Sequence, residues 1–431
     1  MQIIIKDNSF KISKIGYFSF YSGLLLLPTA SSISIILLFI ATISACFTRK
    51  INFFQDKWNF PFFAAGILMI ISAALNTIFL KENILFGYRK DLSWLGLTNW
   101  LPFFWCFSPL STYLENKKLR MIFAKVLICG TIPVLGSCIA QYWFQIYGPF
   151  KILNGFITWF QRPIESIGGV TGLFNNPNYL ASWLLAIWPF CVACIFESYR
   201  KFYRLFVCLT ISFFILYFLF VTYSRNAFLG FFISLPILFG IKKIFIFSFL
   251  LILFLIPIYF LNNYFDVFEL NNIFKNSELQ NLLYKFSNLK TRAALGITRI
   301  QIWFESIKII SLRPILGLGV GAFAIIFGDS IKVTHTHNLF LQISINYGIP
   351  AAILIFSNLI NILYTSLKKF AAKSRSKEIF DLALITSCLL IFIFQFSDIT
   401  YFDAKISILF WILFSGLKSF ILNSDEKNQI V

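Results

Sequence analysis

The chain has 431 residues, 58% of them hydrophobic and only 13% charged, and Lys plus Arg outnumber Asp plus Glu by 37 to 18. A soluble domain carries about a quarter charged residues, so this composition excludes a cytosolic globule, a secreted disulfide scaffold and a disordered tail. The formal net charge of +19 would suggest nucleic acid in a soluble protein; in a membrane protein it first reads as an orientation signal.

The apolar residues gather in blocks of about 20, long enough to cross a hydrocarbon core of ~30 Å. Helices are the expected solution, because lipid offers no partner for free backbone groups. In chain order the runs predict spans at 15–29, 31–48, 59–80, 93–113, 121–144, 178–197, 203–222, 226–241, 243–261, 348–367, 380–398 and 404–422. The expectation is an all-α polytopic membrane protein of about twelve transmembrane helices, forming a single membrane domain over 1–431. Lys6, Lys11 and Lys14 followed by an apolar run from Gly16 imitate a signal peptide. The run resumes at Ser31 after Pro28-Thr29-Ala30, so an uncleaved hairpin of spans is expected. Pro133, Pro189, Pro236 and Pro257 fall inside spans, where they are tolerated.

With the N-terminus in the cytoplasm, inner segments hold 21 basic residues and short outer segments hold five: Lys81, Arg89, Lys90, Arg225 and Lys405. The positive-inside rule then puts both termini in the cytoplasm. Two long segments, 145–177 and 262–336, fall outside. The larger is an extracytoplasmic loop between spans nine and ten. Leu279, Leu282, Leu283 and Phe286 follow helical spacing behind Asn276, a suitable N-cap. Ile300, Trp303, Phe304 and Ile307 repeat it until Arg313-Pro314 stops the helix. Interfacial amphipathic helices and a packed subdomain both account for this pattern.

The eight cysteines all lie in apolar runs. Cys191 and Cys194 form a C-x-x-C on one turn of a predicted span, which reads as small apolar filler. Three polar clusters carry more information, and charge counting puts all three on the outer side. The first is Gly168 to Asn178, leading into the sixth span. The second is Thr222-Tyr223-Ser224-Arg225. The third runs from Arg299 through Gly317, Gly319 and Gly321 to His335-Thr336-His337-Asn338. Arg225 stands about 24 Å of helix before Lys242, at or just below the outer boundary, where an ionisable group suggests function. Its guanidinium fork suits phosphate oxygens. His335 and His337 are the chain's two histidines. No Cys or carboxylate stands at ligand spacing beside them, Asp329 being the nearest acid, so a general base is expected here and no metal. The glycines at 317, 319 and 321 do not follow G-x-G-x-x-G, and a tight turn or close packing is expected rather than a nucleotide loop.

Gly172-Leu-Phe-Asn-Asn-Pro-Asn178, Ser224-Arg225-x3-Leu229, and Arg299-x3-Trp303 with Pro314-x2-Gly317-x-Gly319-x-Gly321-x-Phe323 and His337-Asn338-x9-Gly348 resemble the O-antigen ligase and polymerase superfamily. The resemblance spans roughly residues 168–350. It implies a glycosyltransferase of the bacterial cytoplasmic membrane, acting at the outer face in surface polysaccharide or lipopolysaccharide biosynthesis. Such an enzyme moves a glycan from a polyprenyl diphosphate such as undecaprenyl diphosphate to a lipid or saccharide acceptor hydroxyl, with no metal, cofactor or nucleic acid. Carried over by position, Arg225 and Arg299 hold the diphosphate and His337 activates the acceptor, with Asn178 and Asn338 at the substrate. Arg292 and Arg313 are spare cations. Asp398 either orients His337 or is a helix-end carboxylate. One departure is Ala351, where ligases often carry Gly, which weakens a ligase assignment more than the superfamily one. The alternative function is a solute transporter such as an inorganic-carbon transport protein. Coupled transporters place carboxylates near the bilayer midplane, whereas Glu197, Asp381, Asp398 and Asp403 all fall at span ends.

Overall fold

A computed structural model describes residues 2–49, 51, 53–79, 89, 91–164, 168–240, 299–331, 333–372 and 378–425. The described residues are mostly helical, with one two-stranded antiparallel hairpin, β1 (Phe150–Ile152) and β2 (Ile157–Trp159). Among the described residues, seven helices are long and apolar enough to cross a membrane. The expected span at 243–261, Pro257, and the expected helix following Asn276 lie outside the described residues.

The first helices are α1 (Gln2–Leu26), α2 (Ser31–Thr48) and α3 (Phe60–Phe79), α1 and α2 forming the expected hairpin. The expected span at 93–113 is broken instead into α4 (Asp91–Leu97), α5 (Leu101–Leu110) and a 3-10 turn at Ser111–Leu114. Pro102 sits at the start of α5, where its missing N–H costs nothing, but it cannot continue a helix from α4. The break is held by tertiary contact: Tyr401 donates its hydroxyl to the Asn99 carbonyl at 2.8 Å, and Trp100 stacks on the Tyr401 ring.

Next come α6 (Lys117–Trp143), α7 (Pro177–Ser198), α8 (Phe202–Val221) and α9 (Arg225–Phe239). Pro133, Pro189 and Pro236 lie inside α6, α7 and α9 without ending them. After α10 (Arg299–Leu312) and α11 (Ala322–Ile331) follow α12 (Leu339–Tyr347), α13 (Ile349–Ala371), α14 (379–394) and α15 (Ala404–Asp425). The short α12 is an addition to the expected layout, cut off from α13 by Gly348 at φ +95°. Helices α7 and α15 form the centre: 83% and 94% of their apolar windows are buried, against 28% for α8 at the periphery.

α10 ends just before Arg313-Pro314, as the spacing predicts. Ile302, Ile309 and Ile310 join a small apolar cluster with Leu318, Phe323 and Ile345. The predicted apolar stripe is largely outward: Ile300, Phe304 and Ile307 are exposed. The helix therefore carries two apolar faces, one sealed by protein and one turned away from it.

Candidate active site

Asp398 lies in the turn between α14 and α15, where its backbone N–H bonds to the Phe394 carbonyl. Its side chain is buried, at 8% exposure. Around it converge groups that are far apart in the chain. His337 Nδ1 is 2.9 Å from Asp398 Oδ1, and Asn178 donates its amide to Asp398 Oδ2 at 2.6 Å. Arg299 and His335 each approach the carboxylate to 4.0 Å. The partners are more open than the acid: His337 is 26%, Arg299 35% and His335 36% exposed.

Each partner is placed by its own local structure. Asn338 caps α12 by accepting the Leu341 N–H, and its amide donates to the Phe396 carbonyl, tying the cap to the Asp398 turn. Thr336 is fully buried, bonded to Gln342 and to the Asn338 carbonyl. Its neighbours His335 and His337 lie ring to ring with centroids 4.2 Å apart. His337 adopts φ +54°, a left-handed conformation costly for a side-chain-bearing residue and held here by the cap on one side and Thr336 on the other. Arg299 is the first residue of α10.

The Gly168–Asn178 cluster is the bridge between the other two. Val170 N–H bonds to the Val221 carbonyl, and Gly169 packs so tightly on the Thr222 carbonyl that a Cβ would stand 2.5 Å from it. At its far end Asn176 caps α7 and Asn178 reaches Asp398. Three residues that sequence reasoning missed hold this segment. Gln141 is fully buried in α6, accepting the Thr171 and Gly172 N–H groups and donating to the Arg162 carbonyl and Thr171 hydroxyl. Buried Lys405 donates to the Leu173 carbonyl at 2.8 Å and lies over the Phe174 ring. Arg162 bonds to Asn175. A Gln inside a predicted span was the available signal, since burying an amide requires partners.

Arg225 opens α9 and is exposed, with Ser224 as N-cap. The Ser224 hydroxyl is buried without a hydrogen-bond partner among the described residues. Arg313 is turned elsewhere: its guanidinium donates to Asn76 of α3 at 2.8 Å. Arg292 lies outside the described residues. The expected close packing at the glycines is present. A Cβ on Gly317 would stand 2.6 Å from the Ile345 carbonyl, and one on Gly348 1.9 Å from the Ile315 carbonyl.

Burial, the largest influence on Asp398, pushes its carboxyl up. The His337 hydrogen bond and the positive groups beside it outweigh that and hold it below the ordinary carboxylate value. Burial also drives His335 down to about 4, assisted by His337. At neutral pH the acid is therefore ionised and His335 is neutral. One ligand atom each from His335, His337 and Asp398 lies within 4.8 Å of the others. The carboxylate missing at ligand spacing in sequence is supplied by the fold.

A family profile described as O-Antigen ligase matches residues 210–356, about a third of the chain. No curated protein matches the chain. The matched stretch contains Arg225, Arg299 and His337, while Asn178 and Asp398 come from outside it. Over that stretch the chain is similar to the O-antigen ligase family, and among the described residues it carries seven apolar helices of membrane-crossing length.

Proposed function

We propose that this chain is a glycosyltransferase that moves a glycan from a polyprenyl-diphosphate donor to an acceptor hydroxyl. It works at the outer face of the bacterial cytoplasmic membrane, in surface polysaccharide biosynthesis, with both termini cytoplasmic. The family match supports glycosyl transfer and the apolar helices support a multi-pass membrane protein. The observation that carries the reading furthest is the contact between His337 and the buried Asp398.

An ionised carboxylate only accepts hydrogen bonds, so His337 Nδ1 must donate its N–H to Asp398. That fixes the tautomer and leaves the lone pair on Nε2 free. The acceptor hydroxyl gives its proton to Nε2 as its oxygen bonds to the anomeric carbon. The bond from that carbon to the diphosphate oxygen breaks, and the electron pair leaves with the diphosphate. Proton transfer of this kind contributes about 10²–10⁴ in rate. The leaving group gains charge in the transition state, and Arg225 and Arg299 supply the cations. Each charge-assisted hydrogen bond is worth about 1.5–3 kcal/mol. Asn178 steadies the carboxylate from its other oxygen, and Asn338 sets the backbone from which His337 projects. The chemistry needs no metal, since the base is an imidazole and the leaving group is already a diphosphate.

The test is reconstitution with a polyprenyl-diphosphate glycan and candidate lipid and saccharide acceptors. Wild type should transfer sugar, and Arg225→Ala and His337→Ala should remain folded with transfer reduced at least tenfold. Full activity in both variants would overturn the site. Solute uptake into proteoliposomes with no glycan transfer would favour the transporter. A cysteine replacing Ser330 should react with an impermeant label from outside the cell, and reaction only after permeabilisation would reverse the orientation.

A further inference from the structure

We propose that His335, His337 and Asp398 form a binding site for one divalent cation of the late first-row class, represented by Zn²⁺, whose occupancy switches the base off. The inhibitory effect rests on the reading of His337 as the base; the binding itself does not.

The three side chains offer two imidazole nitrogens and one carboxylate oxygen, a donor set typical of zinc. His337 Nδ1 and His335 Nε2 stand 2.9 and 4.0 Å from the same oxygen, Asp398 Oδ1. A tetrahedral ion with bonds of about 2.0–2.1 Å spaces its ligands by roughly 3.3 Å. These two separations bracket that value, and all three donor atoms lie within 4.8 Å of one another, so side-chain rotations that shift the donors by about 1 Å close the site.

A second shell is also present. Metal-binding histidines hold their other nitrogen by a hydrogen bond, and metal-binding carboxylates are themselves bonded. His335 Nδ1 lies 3.2 Å from the Thr334 hydroxyl, which leaves Nε2 facing Asp398. Asp398 Oδ2 is taken by Asn178, while Oδ1, steadied by the Ile399 N–H at 3.0 Å, is the oxygen that faces both histidines. With one carboxylate and two imidazoles the site is a poor match for Mg²⁺ or Ca²⁺, which want several oxygens. Arg299, 4.0 Å from Oδ2, adds a repulsion that weakly held hard cations cannot overcome.

Coordination at His337 Nδ1 moves the ring proton to Nε2, with no net gain or loss of protons. Nε2 then carries an N–H and has no lone pair to receive the acceptor's proton. The same ion also takes the carboxylate oxygen that fixed the reactive tautomer. Occupancy and base catalysis therefore exclude each other.

The experiment uses the full-length, tag-free protein in detergent, stripped with a chelator and titrated with ZnCl₂ by calorimetry. Wild type should bind one equivalent, with His335→Gln and Asp398→Asn at least tenfold weaker. Co²⁺ loaded at the same site should show a d–d spectrum without a thiolate charge-transfer band, which separates this site from the cysteines. Absence of a stoichiometric ion, unchanged affinity in both variants, or a thiolate band would overturn the site. In the transfer assay Zn²⁺ should inhibit wild type, while His335→Gln should need at least tenfold more Zn²⁺ for the same fractional inhibition of its own transfer rate. Zn²⁺-insensitive transfer by wild type that binds the ion would overturn the switch. Variant-sensitive binding in a protein that transfers no glycan would uphold the site and remove the functional reading instead.

Discussion

Helix α14 has a buried carboxylate near each end, and the two are treated in opposite ways. Asp381, in its first turn, pairs with Arg120, and both side chains are buried, at 2% and 8% exposure. The same guanidinium donates to the Leu114 and Glu115 carbonyls and lies over the Phe420 ring. Nearby elements are stapled similarly, by Lys418 to Asp56 and Ser108. Asp398, past the other end of α14, is nearly as buried, but the partners around it are a quarter to a third exposed. At the first end each charge exhausts the other. At the second, a buried charge orients side chains whose remaining faces stay accessible. Burial of an acid does not by itself separate structure from function; the accessibility of its partners does.

Variants at four positions sharpen this contrast. His337→Ala should lower glycan transfer by about 10²–10⁴ in the reconstituted assay, with thermal stability in detergent close to wild type. Asp381→Asn should behave in reverse. Breaking a buried pair costs about 3–5 kcal/mol, visible as a lower melting temperature, while the surviving folded fraction transfers at the wild-type rate. Equal loss of stability in both variants would erase the distinction between the two ends. Arg225→Ala should weaken transfer about 10- to 100-fold, the equivalent of one charge-assisted hydrogen bond of about 1.5–3 kcal/mol, and Arg225→Lys should recover part of it in initial-rate measurements. The smallest effect is expected from Gly169→Ala. Its new Cβ meets the Thr222 carbonyl, and such overpacking costs about 1–3 kcal/mol, measured as thermal destabilisation with a parallel loss of transfer.

Much of the helical layout was legible because a 20-residue apolar run in lipid has few alternatives. The predicted limits of α2 coincide with the observed ones, and those of α7 and α8 differ by one residue. The break between α4 and α5 was not legible, since it depends on Tyr401 arriving from 302 residues away to take the Asn99 carbonyl. Which side of α10 packs on protein stayed open for a related reason: apolar residues occupy both faces, and only the neighbouring elements decide which is covered. At the site, chemistry could be read one residue at a time. His337 and Asp398 were each visible as candidates and their pairing was one of two readings of Asp398, but 61 residues separate them, and no spacing rule chooses that reading by joining a turn before α12 to a turn after α14. Arg120 and Lys418 show the limit of charge counting. Both fit the inner side of the orientation rule, and both are also buried halves of ion pairs.

The close approach of Gly317 and Gly348 has a consequence for how the histidines are held. Leu318 and Gly319 donate to the Ile345 and Asn346 carbonyls, and Ile349 donates to the Pro314 carbonyl. This short seam ties residues 320–344 into a closed loop with fixed feet, and His335 and His337 ride on it. The entropy of closing such a loop grows only slowly with its length. Residues added past the end of α11, after Ile331, would therefore lengthen the excursion without moving its feet or loosening Asn338 from Phe396. The chain has a place to vary what lies above the site while the base and its carboxylate stay in register.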